Sequence, residues 1–77
     1  MKRVTPNTRH IGEKIAEYRL KNNWSQADLA AQLQLYGCDL TREAVAKMEI
    51  GYRTVSVFEL DCLVEVFGIT YNDLFAK

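Results

Sequence analysis

With two cysteines, one histidine, one proline and no net charge among 77 residues, the sequence lacks the raw material of several protein classes. Cys38, Cys62 and His10 have no metal-ligand spacing, so no metal is expected. The two cysteines read as reduced thiols packed as small hydrophobes. A single histidine, no paired nucleophile and base, and no glycine-rich phosphate loop leave nothing from which to build an enzyme site. No cofactor is expected. The apolar runs are too short to span a bilayer, and no apolar stretch follows the basic start at Lys2 and Arg3. The expected location is the cytoplasm, with no membrane partner. Zero net charge argues against a crude electrostatic binder of nucleic acid.

What is present is globular composition, 48% hydrophobic and 26% charged, in a length that allows one domain. No second domain, and so no small-molecule effector, is expected. The charge is unevenly spread. Residues 1–53 carry nine basic and six acidic side chains, while residues 54–77 carry one basic and four acidic. The positive end of this dipole coincides with the most strongly patterned stretch.

That stretch is SQADLAAQLQLYGCDLTREAVAKME, from Ser25 to Glu49. Ser25 and Thr41 each have the character of a helix N-cap, whose side-chain oxygen accepts from an otherwise orphaned N–H. Trp24 with Leu29 and Leu40 with Val45 fit the hydrophobic staple that fixes the entry angle. Gly37 suits a left-handed helix end. The unit is helix, turn, helix, with a known use in DNA binding.

The rest of the chain follows the same grammar. Residues 1–7 read as a flexible arm, with Pro6 delaying regular structure. Lys2, Arg3 and Arg9 could add DNA contacts there, though a disordered tail is the simpler reading. A single domain over residues 8–77 holds five helices. Helix 1 is expected from Thr8 to Asn22, with Ile11, Ile15, Tyr18 and the stem of Arg19 on one face, and Asn23 as a left-handed terminus. Helix 2 spans Gln26–Tyr36 with Leu29, Ala30, Leu33 and Tyr36 as its apolar stripe. Helix 3 runs from Arg42 to about Ile50 and closes at Gly51. Ser56 and Glu59 form a capping box for helix 4, which ends at Gly68. Helix 5 covers about Tyr71 to Phe75. The fold class is all-α.

The pattern I-G-x-x-I-x-x-Y-R, W-S-Q-x-x-L-A, T-x-x-x-V-x-x-M-E-x-G and E-L-x-x-L-x-x-x-F-G-I-T-x-x-x-L-F resembles the Cro and phage-repressor type of helix-turn-helix, the xenobiotic-response-element family of bacterial regulators. The resemblance covers about residues 11–75. It implies a five-helix repressor-like domain with helices 2 and 3 as the DNA-binding unit. It also implies a sequence-specific regulator of transcription, read as a repressor, on a palindromic operator. One departure is the connection through Gln34–Asp39, about five residues longer than the family's compact turn. Either helix 2 gains a turn or the connection bulges outward.

The resemblance assigns Arg19 and Glu49 to a salt bridge between helix 1 and the end of helix 3, and Gln26 to a phosphate. Helix 3 would lie in the major groove. Glu43 and Lys47 lie on its outward face and Arg42, at the first helical position, can reach around the end; Arg or Lys reads guanine and Glu accepts from cytosine. Ala44 and Ala46 are short enough to admit thymine methyls. A plain surface pair of Glu43 and Lys47 is the competing reading. Helices 2, 4 and 5 carry Asp28, Glu59 and Asp73 at the third position, whereas helix 3 carries Ala44, either because an acid there would repel a phosphate or because only alanine fits against Ala30. Tyr52 and Arg53 are placed for backbone phosphates. Helix 4 has apolar residues beyond one stripe, and Val57, Phe58, Cys62 and Val66 are the expected homodimer surface. Two other functions stand beside the regulator: a protein-interaction module on the same scaffold, and the antitoxin partner of a toxin.

Overall fold

A computed structural model describes residues 6–76, in five helices: α1 Pro6–Lys21, α2 Gln26–Leu35, α3 Arg42–Glu49, α4 Val57–Phe67 and α5 Tyr71–Phe75. No strand occurs among the described residues. The start of α1 corrects the arm's expected boundary. Helix begins at Pro6 rather than Thr8, because a fixed φ suits the first helical position and a missing N–H costs nothing there. The arm residues Lys2 and Arg3, and the side chain of Arg9, lie outside what is described.

Every later helix opens on a hydroxyl cap. Ser25, Thr41, Ser56 and Thr70 accept from the backbone N–H three residues on. At Ser25, Ser56 and Thr70 the return bond is also made, from the cap's own N–H to Asp28, Glu59 and Asp73. These capping boxes use aspartate twice, although glutamate is the commoner partner. Hydrogen bonds with Ser25 hold the Asp28 carboxyl below its ordinary range.

The ends of α1 to α4 are equally uniform. Asn23, Gly37, Gly51 and Gly68 have positive φ, and in each case two N–H groups turn back onto the last free carbonyls. Trp24 N–H donates to Arg19 O at 3.1 Å, Cys38 to Leu33 at 3.0 Å, Tyr52 to Lys47 at 2.9 Å and Ile69 to Val64 at 3.1 Å. This is the Schellman closure. Asn23 tolerates the left-handed region where most side chains would not.

In the long connection α2 ends at Leu35, and residues 34–37 are exposed. After the left-handed Gly37 the chain re-enters the core. Cys38 and Leu40 are buried while Asp39 between them is exposed. Tyr36 is the cap residue of α2 rather than part of its stripe, and its side chain is exposed. The core is built on Ile15, Leu29, Leu33, Val45, Met48, Leu63 and Leu74, all fully buried. Around its edge Phe67 lies between Tyr18 and Trp24, with ring centroids 5.7 and 6.1 Å away. Such aromatic pairs add to plain area burial.

Two contacts fix α1 against the rest and were not legible in the sequence. A Cβ built on Gly12 would fall 2.3 Å from Met48 O and 2.6 Å from Glu49 O, so α1 crosses the end of α3 at backbone contact. At the start of α1, His10 Nε2 is hydrogen-bonded to the carbonyl of Ala76.

Candidate nucleic-acid interface

The helix α3 is anchored on its inner side by one acidic side chain. Glu49, at the last position of α3, is buried. Its Oε2 accepts from Arg19 Nε at 2.6 Å, and its Oε1 accepts from Arg19 Nη2 at 3.2 Å. Gln26 Nε2, from the first position of α2, reaches the same Oε1 at 3.0 Å. The third arm of the Arg19 guanidinium donates to Trp24 O at 2.8 Å. The fork-on-carboxylate geometry satisfies both charges as they leave water, which a buried pair requires. Among the described residues no buried side-chain polar atom lacks a partner.

With its inner face occupied by Val45, Met48 and Glu49, α3 presents Arg42, Glu43 and Lys47 to solvent. Arg42 and Glu43 lie 3.8 Å apart, with most of each side chain exposed. Such a pair is weak, so both groups are available to a ligand. Ala46 is half-buried. Ala44 packs against the core instead of facing outward, so its expected contact with a thymine methyl gives way to a steric role. With Ala44 at its third position, α3 alone among α2 to α5 lacks a capping box. Its cap makes no reciprocal carboxylate bond, but Glu43 lies in the first turn.

The expected phosphate-contact residues are placed differently from one another. Gln26 is half-buried on the Glu49 network, and Tyr52 is 77% exposed beside the end of α3. Arg53 does not project freely. Its Nη1 and Nη2 donate to the two carboxylate oxygens of Glu59 at 2.9 and 2.8 Å, and Nη1 also reaches Thr54 O at 3.1 Å. The Arg53 guanidinium pulls the Glu59 carboxyl below its usual range. Sequence reading missed this pair because Glu59 was already assigned to the cap.

The expected dimer residues divide. Val57 and Phe58 are exposed, at 75% and 57%. Cys62 corrects the expectation: it is buried in the core, with its thiol 3.7 Å from Tyr36 O. Val66 packs against the core as well. Residues 58, 62 and 66 recur four apart along α4, and only the first of them is exposed. Burial, with Cys62 beside it, pushes the Cys38 thiol up to about 11.

Two helices joined at a fixed angle, the second with its inner face locked and its outer face polar and bare, define a DNA-binding helix-turn-helix domain. The helix-turn-helix family model matches residues 15–74. Control protein C.BamHI of Bacillus amyloliquefaciens is 34% identical over 73 residues, spanning 92% of this chain and 84% of that one. The crystal structure of the restriction-modification controller protein C.AhdI from Aeromonas hydrophila has a TM-score of 0.79 at 27% identity, covering 92% of this chain and all of the other. The clp gene regulator ClgR from C. glutamicum shares the fold at 15% identity, with a TM-score of 0.79 over 97% of this chain and 90% of that one. The chain belongs to the helix-turn-helix family of the Cro and phage-repressor type and is a DNA-binding transcriptional regulator. This family is a class of regulators rather than of enzymes. No helix among the described residues is long and apolar enough to cross a membrane.

Proposed function

We propose that this protein is a sequence-specific regulator of the controller type, binding a palindromic operator as a homodimer and reading the major groove with α3. The observation that carries the reading is the outward face of α3. Arg42, Glu43 and Lys47 stand exposed on a helix whose opposite side is held by Val45, Met48 and the Arg19–Glu49 pair. Ala46 is short enough to let the helix seat closely. Gln26 and Tyr52 flank this surface and supply phosphate contacts, which set register while the base contacts set sequence. Val57 and Phe58 form the apolar surface left for a second copy, and a two-fold dimer matches half-sites about one duplex turn apart.

Likeness to C.BamHI and C.AhdI supports a controller of restriction-modification genes. It acts as a repressor where its operator overlaps a promoter. Selection of bound fragments from the source genome tests the whole reading. The expected result is a short inverted repeat upstream of restriction or methyltransferase genes. Recovery of random fragments, with a mobility shift that shows no preference between duplexes, would instead favour the protein-interaction module.

A further inference from the structure

We propose that Arg53 is a positioning residue and not itself a phosphate contact: paired with Glu59, it holds the loop after α3 so that Tyr52 stands against the DNA backbone beside Lys47. The inference rests on the reading of α3 and Tyr52 as the DNA-facing surface.

The loop is tied at both ends. At its start, the N–H groups of Tyr52 and Arg53 both donate to Lys47 O, at 2.9 and 3.3 Å. The loop therefore hangs from the backbone of a residue in the reading surface. At its far end, the Arg53 guanidinium grips both oxygens of Glu59 and the carbonyl of Thr54. Glu59 is itself immobile, because its Oε1 accepts from Ser56 N–H at 3.0 Å and its backbone N–H donates to Ser56 Oγ. A side chain that completes the cap of α4 thus also fixes the loop leaving α3. Tyr52 is carried between the two ties with its ring in solvent.

The alternative is that Arg53 leaves Glu59 to meet a phosphate. The Glu59 side chain is only 12% exposed, so departure of the guanidinium would strand a mostly buried carboxylate on one backbone N–H. Breaking such a pair is costly. A neutral ion pair also displaces no counterion from DNA, whereas a free guanidinium on a phosphate does. The two roles therefore differ in sign when the carboxylate is neutralised.

The test uses the intact protein on a cognate duplex over a range of salt, at temperatures where circular dichroism shows each variant folded. Glu59→Gln and Arg53→Ala are each expected to weaken binding by about tenfold, with the double variant no weaker than either. The salt slope should stay unchanged. Arg53→Lys should recover only part of the loss, since a lysine cannot reproduce the two-pronged grip. If Glu59→Gln fails to fold, Tyr52→Ala supplies the second route. Its loss should shrink in the Arg53→Ala background, and strictly additive losses would overturn the proposal. Tighter binding and a steeper slope in Glu59→Gln would overturn it too, as would a slope lowered by about one unit in Arg53→Ala alone. Lys47→Ala separates this from the base-reading assignment. If Lys47→Ala binds normally while Glu59→Gln weakens, the assignment of Lys47 fails and the positioning role stands.

Discussion

Gly12 lies against the backbone of Met48, so closely that a single added carbon would fall 2.3 Å from that residue's carbonyl oxygen. The glycine costs α1 about 1 kcal/mol of helix propensity relative to alanine. What it allows is the depth at which α1 meets the end of α3. We expect Gly12→Ala to lower stability by about 1–3 kcal/mol despite its better propensity, because the obstacle is backbone that must shift. Chemical denaturation checks this. Unchanged or raised stability would mean that α1 and α3 can separate freely.

Arg19 and Glu49 should behave as a unit. Replacing either with Ala leaves the other charge buried, and we expect a loss of about 3–5 kcal/mol. The pair Arg19→Met with Glu49→Leu should cost far less than the two single losses added together. A double-mutant cycle in denaturant measures the difference. Additive losses would show that the two charges do not depend on each other.

Base reading is predicted to lie in Arg42 and Lys47. Replacing either with Ala should cost about 1–3 kcal/mol on the cognate duplex and relax preference at particular base pairs. Both side chains are exposed, so melting temperature should hardly move. Binding curves on cognate and scrambled duplexes are the check. Equal losses on both would assign these residues to the backbone rather than the bases.

Phe58→Asp should weaken self-association by more than about tenfold, as expected for an aromatic anchor in an interface. The ring is exposed in the monomer, so the fold should survive. Sedimentation across concentration, with and without DNA, reports the result. An unaltered dimer would move the interface to another surface.

Cys38 should be unreactive while the protein is folded. Its thiol is buried and its pKa is raised to about 11, so the nucleophilic thiolate is scarce near neutral pH. Alkylation followed by mass spectrometry should show modification of Cys38 only as fast as the protein opens, and rapid modification in denaturant. Fast labelling of the native protein would contradict its placement in the core.

The local structure was legible because its causes are local. Each cap acts within one turn, so Ser25, Thr41, Ser56 and Thr70 announce their helices to any reader of the neighbouring residues. The left-handed closures at Asn23, Gly37 and Gly68 are equally short-range. Reading failed where a residue had two plausible environments. Tyr36 fits a helical stripe by spacing, but the Schellman turn ends α2 one residue earlier and releases its ring to solvent. Cys62 is small and apolar enough for either a core or an interface, and only the crossing of α2 over α4 decides.

The sequence by itself therefore determined five helices, their order, and the motif that marks a DNA-binding regulator. It did so because hydrogen-bonded caps and helical periodicity are set by residues a few positions apart. The tertiary structure alone decided which distant groups meet: Gly12 with Met48, His10 with Ala76, Gln26 with Glu49, and Arg53 with Glu59 rather than with open solvent. Those meetings depend on how helices cross, and crossing is settled by the packing of the whole core at once. The charge of Arg53 could be read from the sequence, but the carboxylate that claims it became visible only once α4 had been placed beside the loop.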